Sequence, residues 1–219
     1  MDKSLIKGIP KGVVFDPETH HYTYNGVVGP SVTGLLNTWV KSKSGQYYYN
    51  SVFKTWVWAE TFEEAGRFGT AVHQYCKELL SGNDITIDRP DFIPPVEQFI
   101  KWHNEHLREV FVAEEPMYSV QGFFGTLDIF GLDKKGELVL VDIKTGDYSL
   151  AGPQLSGYEM LVRENILNNK KHRIKRYVLS LPKEAGKSYK FIEMINDRDD
   201  KLHFQACLSK RAWEQKYIK

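Results

Sequence analysis

Asp128, Asp142 and Lys144 have the residue types and spacing to do chemistry. The two carboxylates stand inside the apolar runs of "GTLDIFGLDKKGELVLVDIKTGD" (residues 125–147), where a half-buried strand normally keeps acids off its core side. With Asp133-Lys134-Lys135-Gly136 as the turn of a hairpin, antiparallel partners sum to about 269 or 270, which sets Asp128 opposite residue 141 or 142. Like charges at that separation repel and raise one pKa. A divalent cation between them reverses the balance, and oxygen donors of this kind suit Mg²⁺ or Mn²⁺. Lys144 lies two residues beyond Asp142, hence on the same strand face, within reach of a metal-held water or a phosphate. The backbone carbonyl of Ile143 offers a further oxygen. The plain alternative is a surface hairpin whose polar face happens to read Asp–Asp–Lys. Leu138, Val139, Leu140, Val141 and Ile143 argue against it, since an unbroken apolar run is the mark of a central strand buried on both faces.

The surrounding elements must position these groups. "VVFDPETHHYTYNG" alternates in part and reads as a hairpin with a turn at Asp16-Pro17-Glu18. "PSVTGLL" reads as a helix start with Ser31 as N-cap. Residues 45–60 are rich in Tyr and Trp. A helix is predicted over 61–80, capped by Thr61, with Phe62, Ala65, Val72, Cys76, Leu79 and Leu80 inward, and another over 95–109. Strands follow at 111–120, 123–132 and 137–144, a helix at 151–166, strands at 174–181 and 189–194, and a closing helix at 199–216. This order predicts an α/β (α+β) fold with a central mixed sheet flanked by helices. No linker is visible, so 1–219 reads as a single domain: an N-terminal hairpin and aromatic region to residue 60, a core over 61–195, and a C-terminal helix.

Composition narrows the function. The chain has 219 residues, 42% hydrophobic and 26% charged, enough to bury a real core. Its net charge of +1 carries no global basic signal, so any nucleic-acid surface has to be a local patch. Cys76 and Cys207, the only cysteines, cannot supply the four ligands of a structural zinc or an iron–sulfur cluster, and are expected as a buried, reduced pair. "MDKSLIKGIPKG" lacks the apolar core of a signal peptide, and no apolar run is long enough to span a bilayer. The expectation is a soluble, cytoplasmic protein with no membrane partner.

The order of "GTAVH" (69–73), "GTLD" (125–128), "DIKTG" (142–146) and "QLSGY" (154–158) resembles the PD-(D/E)XK nucleases, specifically the RecB-like branch. That branch includes nuclease domains of bacterial recombination helicases, phage exonucleases, mitochondrial genome-maintenance exonucleases and CRISPR-adaptation nucleases. The match covers roughly residues 62–181; each motif alone is weak, and four in the correct order are specific. The opening "FDPETHHYTYNGVVGPSVTGLL" is also similar to the start of small phage-encoded members.

The resemblance implies a restriction-endonuclease-like core in which Asp128 and Asp142 hold the metal, Lys144 is the catalytic lysine, and His73 completes the metal site. Gln154 and Tyr158 match the QxxxY motif, and Glu114 or Glu115 the acid on the preceding strand, with "EEPM" favouring Glu114. Leu127 stands where the family name has proline. The CRISPR-adaptation branch usually carries four cluster-binding cysteines, which this chain lacks, so no iron–sulfur cluster is expected.

The implied activity is Mg²⁺- or Mn²⁺-dependent hydrolysis of DNA by an exonuclease of viral or phage recombination, repair or degradation, working in the host cytoplasm. Its substrate would be single-stranded DNA or duplex ends, and its partner a single-strand annealing or binding protein. The rivals are a structure-selective endonuclease on the same fold and a catalytically silent nucleic-acid-binding module.

Other residues read two ways. Gln154 and Tyr158, i and i+4, share a helix face that is either a polar rim or a device positioning phosphate or Lys144, with Thr145 alongside. Arg67 either pairs with an acid or grips a terminal phosphate. "KKHRIKR" (170–176) is a solvated loop-to-strand junction or a phosphate contact through Lys170, Lys171 and Arg173. Tyr47, Tyr48, Tyr49, Trp56 and Trp58 form core or stack on unpaired bases.

Overall fold

The computed structural model describes residues 5–8, 11–16, 19, 21–168 and 171–218. Up to Trp58 the chain forms two small antiparallel sheets. β1 (Val13–Asp16), β2 (His21–Tyr24) and β3 (Val27–Gly29) make the first. Pro17 and Glu18 of the predicted turn lie outside the described residues, while Asp16 accepts a hydrogen bond from the Thr19 hydroxyl at 2.6 Å. Helix α1 (Val32–Leu36) is capped by Ser31 as predicted, its hydroxyl accepting from Gly34 N at 2.9 Å. β4 (Trp39–Lys41), β5 (Tyr47–Asn50) and β6 (Thr55–Trp58) make the second sheet.

The aromatic segment is therefore a hairpin whose rings divide by face. Tyr48 and Trp39 pack on Phe62 of the following helix, while Tyr47, Tyr49, Trp56 and Trp58 cluster on one another on the other face.

β6 runs directly into α2 (Ala59–Leu80), so Trp58, not Thr61, is the N-cap. Helix α3 (Ile93–His106) passes without a loop into β7 (Leu107–Ser119), followed by β8 (Phe123–Asp133), β9 (Leu138–Lys144), α4 (Ala151–Asn165), β10 (Ile174–Ser180), β11 (Lys190–Glu193) and α5 (Asp197–Tyr217). The helix predicted over 95–109 ends early because Leu107, Phe111 and Val112 are apolar groups that the sheet buries. The five long-range strands form one mixed sheet in the order β11-β10-β9-β8-β7, with β9 and β10 parallel across the α4 crossover and the other pairs antiparallel.

β9 is central and buried on both faces, as its apolar run predicts. Leu138 and Leu140 point to the side covered by α1, α4 and α5; Val139, Val141 and Ile143 point to the side covered by α2 and α3. The β8–β9 register runs from Leu132↔Leu138 to Ile129↔Val141, the pairing expected from a turn at 133–136. Asp133 organises that turn by accepting from Lys135 N and Glu137 N.

Two glycines of the sequence motifs permit close approach. A Cβ on Gly125 would stand 2.9 Å from the Tyr158 ring and 3.0 Å from Leu161, and one on Gly157 would stand 2.8 Å from Phe204 of α5. The buried Arg176 guanidinium ties α5 to α4 by binding Asp197, Asp200, Ser156 and the Gly152 carbonyl. Cys76 and Cys207 are both free; only Cys76 is fully buried, and they lie on opposite sides of the sheet. Among the described residues no helix is long and apolar enough to cross a membrane.

Candidate metal centre

Four elements deliver the charged groups to one end of the sheet. Glu114 comes from the middle of β7, with a left-handed backbone of φ +52°, a sparsely populated conformation for a side chain of its size. The β7–β8 ladder is in register on both sides of it, Ala113↔Ile129 and Glu115↔Leu127, so Glu114 stands opposite Asp128. Alternation breaks at Asp128. Leu127 packs on the α4 side and Ile129 on the α2 side, though residues two apart on a regular strand share a face. The β8–β9 ladder stops at Ile129↔Val141, and Asp128 Oδ2 accepts from Ile143 N at 2.5 Å. A carboxylate thus takes the place of a main-chain acceptor where the strands part.

His73, from the middle of α2, reaches across this end. Its Nδ1 lies 3.2 Å from Glu114 Oε1 and 3.3 Å from Asp128 Oδ1, and its Nε2 lies 3.1 Å from the Ile143 carbonyl. One ligand atom from each of His73, Glu114 and Asp128 can be chosen so that all lie within 4.8 Å of one another. Burial pulls the imidazole pKa down, but the charges and hydrogen bonds of Asp128 and Glu114 outweigh it and hold His73 well above its ordinary range. Burial raises Asp128, but His73, then Lys144 and the Ile143 N–H, bring it below the usual carboxylate range. Glu114 stays raised, chiefly by burial.

Asp142 belongs to a second, adjoining arrangement. Its Oδ1 accepts from Gln154 Nε2 at 3.0 Å, and Lys144 Nζ stands 2.6 Å from its Oδ2. Both carboxylate oxygens are thus engaged, one by an amide and the other by an ammonium. Burial pushes the Asp142 carboxyl up to about 6, with the Asp128 charge adding to it and Lys144 opposing. Gln154 Nε2 also donates to Tyr158 Oη at 3.0 Å. Burial first, then the Asp142 charge, pushes the Tyr158 phenol well up, so it stays neutral. Gln154 and Tyr158 therefore act through Asp142: they position it from below rather than forming a polar rim.

Counting charges tests whether these residues fit a divalent cation. Glu114, Asp128 and Asp142 bring three negative charges, and Lys144 returns one; with His73 neutral, two negative charges remain in a part-buried site. The donor set of carboxylates, an imidazole and a main-chain carbonyl suits Mg²⁺ or Mn²⁺. His73, Glu114 and Asp128 are the group that could hold a metal ion.

The remaining sequence candidates are dispersed. Thr145 is next to Lys144 and lies against Gly69 of α2, 3.5 Å from where a Cβ would stand. Arg67 is exposed, six residues before His73 and so on another helix face, with Glu63 in electrostatic range. Arg173 and Lys171 lie at the far end of the sheet. Ile174 pairs with Leu138 and Ser180 with Lys144, which puts about 20 Å of parallel strand between the basic cluster and the site. Lys170 lies outside the described residues.

Sequence reasoning missed Tyr22, whose hydroxyl bonds Thr126 at 2.9 Å and whose burial raises its pKa, with Glu114 and Asp128 adding to the rise. No spacing signal links it to the acids; only the tertiary pairing of the first sheet with β8 does. No family model matches the chain, and no match is found among curated proteins.

Proposed function

We propose that the chain is a Mg²⁺- or Mn²⁺-dependent deoxyribonuclease of the PD-(D/E)XK type, RecB-like branch, acting as an exonuclease. The observation that carries this reading is the convergence of His73, Glu114 and Asp128 within 4.8 Å, beside an Asp142–Lys144 pair at 2.6 Å. The placement of the acids on adjacent antiparallel strands, with Gln154 and Tyr158 on the crossover helix behind them, supports the resemblance seen in the motifs.

Asp128, His73, Glu114 and the Ile143 carbonyl would hold the cation, with Asp142 at its edge. A bound divalent ion supplies Lewis-acid activation of water and charge neutralisation at phosphate. Asp142 holds the Lys144 ammonium at the mouth of the site, where it orients the attacking water and stabilises negative charge growing on the phosphoryl oxygens. Gln154, fixed by Tyr158, prevents Asp142 from turning away. His73 must be neutral to act as a ligand, so loading the ion displaces the proton that Asp128 and Glu114 now hold on it.

The test is digestion of end-labelled linear single- and double-stranded DNA and of closed circles with Mg²⁺, Mn²⁺ or EDTA. The expected result is cleavage of linear substrates, sparing of circles, and loss of activity in EDTA and in Asp128→Asn. Equal rates on circles identify an endonuclease. Binding with no cleavage in either metal overturns the enzymatic reading.

A further inference from the structure

The Lys144 end of β9 opens into a cleft of about 230 Å³ that reaches the small β4–β6 sheet. Lys144, Gln154, Phe53, Thr38, Asn37 and Asp147 are among the residues that line it. We propose that this cleft is a nucleoside subsite in which an unpaired base stacks on Phe53 while its phosphate lies at Lys144. The proposal rests on the nuclease reading of the adjoining site and names the form of DNA it takes.

Phe53 is built to be presented. The residue is 48% exposed, yet its backbone is held by hydrogen bonds. Asn50, 1% exposed, accepts from both Val52 N and Phe53 N at 2.9 Å and donates to Thr38 Oγ1 at 3.0 Å. A buried amide is thus spent on the turn that displays an aromatic ring to the cleft. The next residue, Lys54, closes the β5–β6 hairpin loop with a left-handed φ of +55°.

The charges on the lining set where the phosphate lies. Asp147 is a carboxylate already accepting from Ser149 N and Oγ, and it does not attract phosphate. The Lys144 ammonium does. Asn37 and Thr38 carry amide and hydroxyl groups of the kind that meet a base edge. The volume is below the roughly 300–1,000 Å³ of clefts that enclose a drug-sized ligand, which suits one nucleoside rather than a folded strand. A base stacked on Phe53 is out of the duplex, so the cleft selects single strands and frayed ends.

The experiment uses the full chain and a single-stranded oligodeoxythymidylate carrying one 2-aminopurine, with a blunt duplex as control, in EDTA and again in Ca²⁺. Anisotropy reads affinity, and quenching of 2-aminopurine reads stacking. Phe53→Ala should weaken single-strand binding about 5- to 150-fold, the loss of one base–aromatic stack, and abolish the quenching. Phe53→Tyr should keep both, and duplex affinity should hold within about twofold on the same scale. Single-strand affinity and quenching unchanged in Phe53→Ala overturn the subsite, as does a wild-type chain that never quenches the probe. A wild type that cleaves DNA while Phe53→Ala behaves normally refutes the subsite alone. Quenching that depends on Phe53 without cleavage in Mg²⁺ or Mn²⁺ keeps the subsite and refutes the nuclease.

Discussion

Replacing Asp142 with Asn should make the metal-free protein more stable at neutral pH. In the folded chain this carboxyl titrates at about 6, against an ordinary value of 3.8. Between those values the folded state binds more protons than the unfolded state, so stability falls as pH rises through the window and stays lower above it. A displacement of that size corresponds to about 3 kcal/mol against ionisation. The attraction of Lys144 is already contained in it, so the figure is net of the ion pair.

Asp128 and His73 act in the opposite sense. The lowered Asp128 adds stability above its own ordinary range, and the raised His73 adds stability that is lost only as pH climbs through its elevated folded value. Both are present in wild type and variant, so the comparison reads position 142 together with the charges coupled to it, Asp128 and Lys144. Asp142→Asn keeps an oxygen for Gln154 to donate to and removes the buried charge.

Urea denaturation in EDTA from pH 4 to 8.5 should show the variant more stable by up to about 3 kcal/mol above pH 7, the difference vanishing toward pH 4. In melting temperature this is about 6–12 °C for a chain of this size. Saturating Mg²⁺ should stabilise the wild type by about 2.7 kcal/mol at a hundred times Kd, and the variant less. A variant no more stable than wild type at pH 8 in EDTA refutes the reasoning, because it would mean that the buried Asp142 charge is already compensated.

Gly125→Ala should cost about 1–3 kcal/mol through overpacking against Tyr158 and Leu161. It should also slow cleavage, because Tyr158 supports the Gln154 that holds Asp142; an unchanged urea midpoint counts against the contact geometry. Lys144→Ala should retain metal binding by calorimetry and lose about 10²–10³-fold in cleavage rate; a fall of less than about threefold on that scale would assign Lys144 a structural role.

The strands of the sheet were legible because their apolar runs are long and their turns carry local chemistry. Asp133 and Gly136 fix the hairpin, and the register that follows brings the ladder to Ile129↔Val141, next to the two acids. The convergence of His73 on Asp128 followed from motif order, not from any periodicity on α2. What the sequence did not reveal is the division of labour. The motifs give Asp142 the same standing as Asp128; the structure adds that its oxygens face Gln154 and Lys144, because β8 and β9 part before the two acids come into register. The preference for Glu114 over Glu115 rested on a flanking tetrapeptide; the physical reason is the backbone flip at 114, which no composition rule anticipates. The aromatic segment was read for its side chains while its alternation, Tyr47 and Tyr49 outward and Tyr48 inward, passed unused. The basic cluster at 170–176 showed charge without place: a parallel strand enters the sheet at the end opposite to where its neighbour leaves the site.

The parting of β8 and β9 at Asp128 also has a bearing on the order of folding. The β7–β8–β9 meander consists of contacts between neighbours in sequence, the kind that form early. His73 meets the Ile143 carbonyl across 70 residues of chain, and such closures come late. Until α2 docks, a finished meander would crowd Glu114, Asp128 and Asp142 together with only Lys144 to offset them. In the folded chain the ladder runs from the turn at 133–136 as far as Ile129↔Val141 and stops, and His73 bridges Glu114 and Asp128 beyond it. The end of the sheet beyond Ile129↔Val141 is thus completed by a contact distant in sequence, so its amides should lose exchange protection before those near the 133–136 turn.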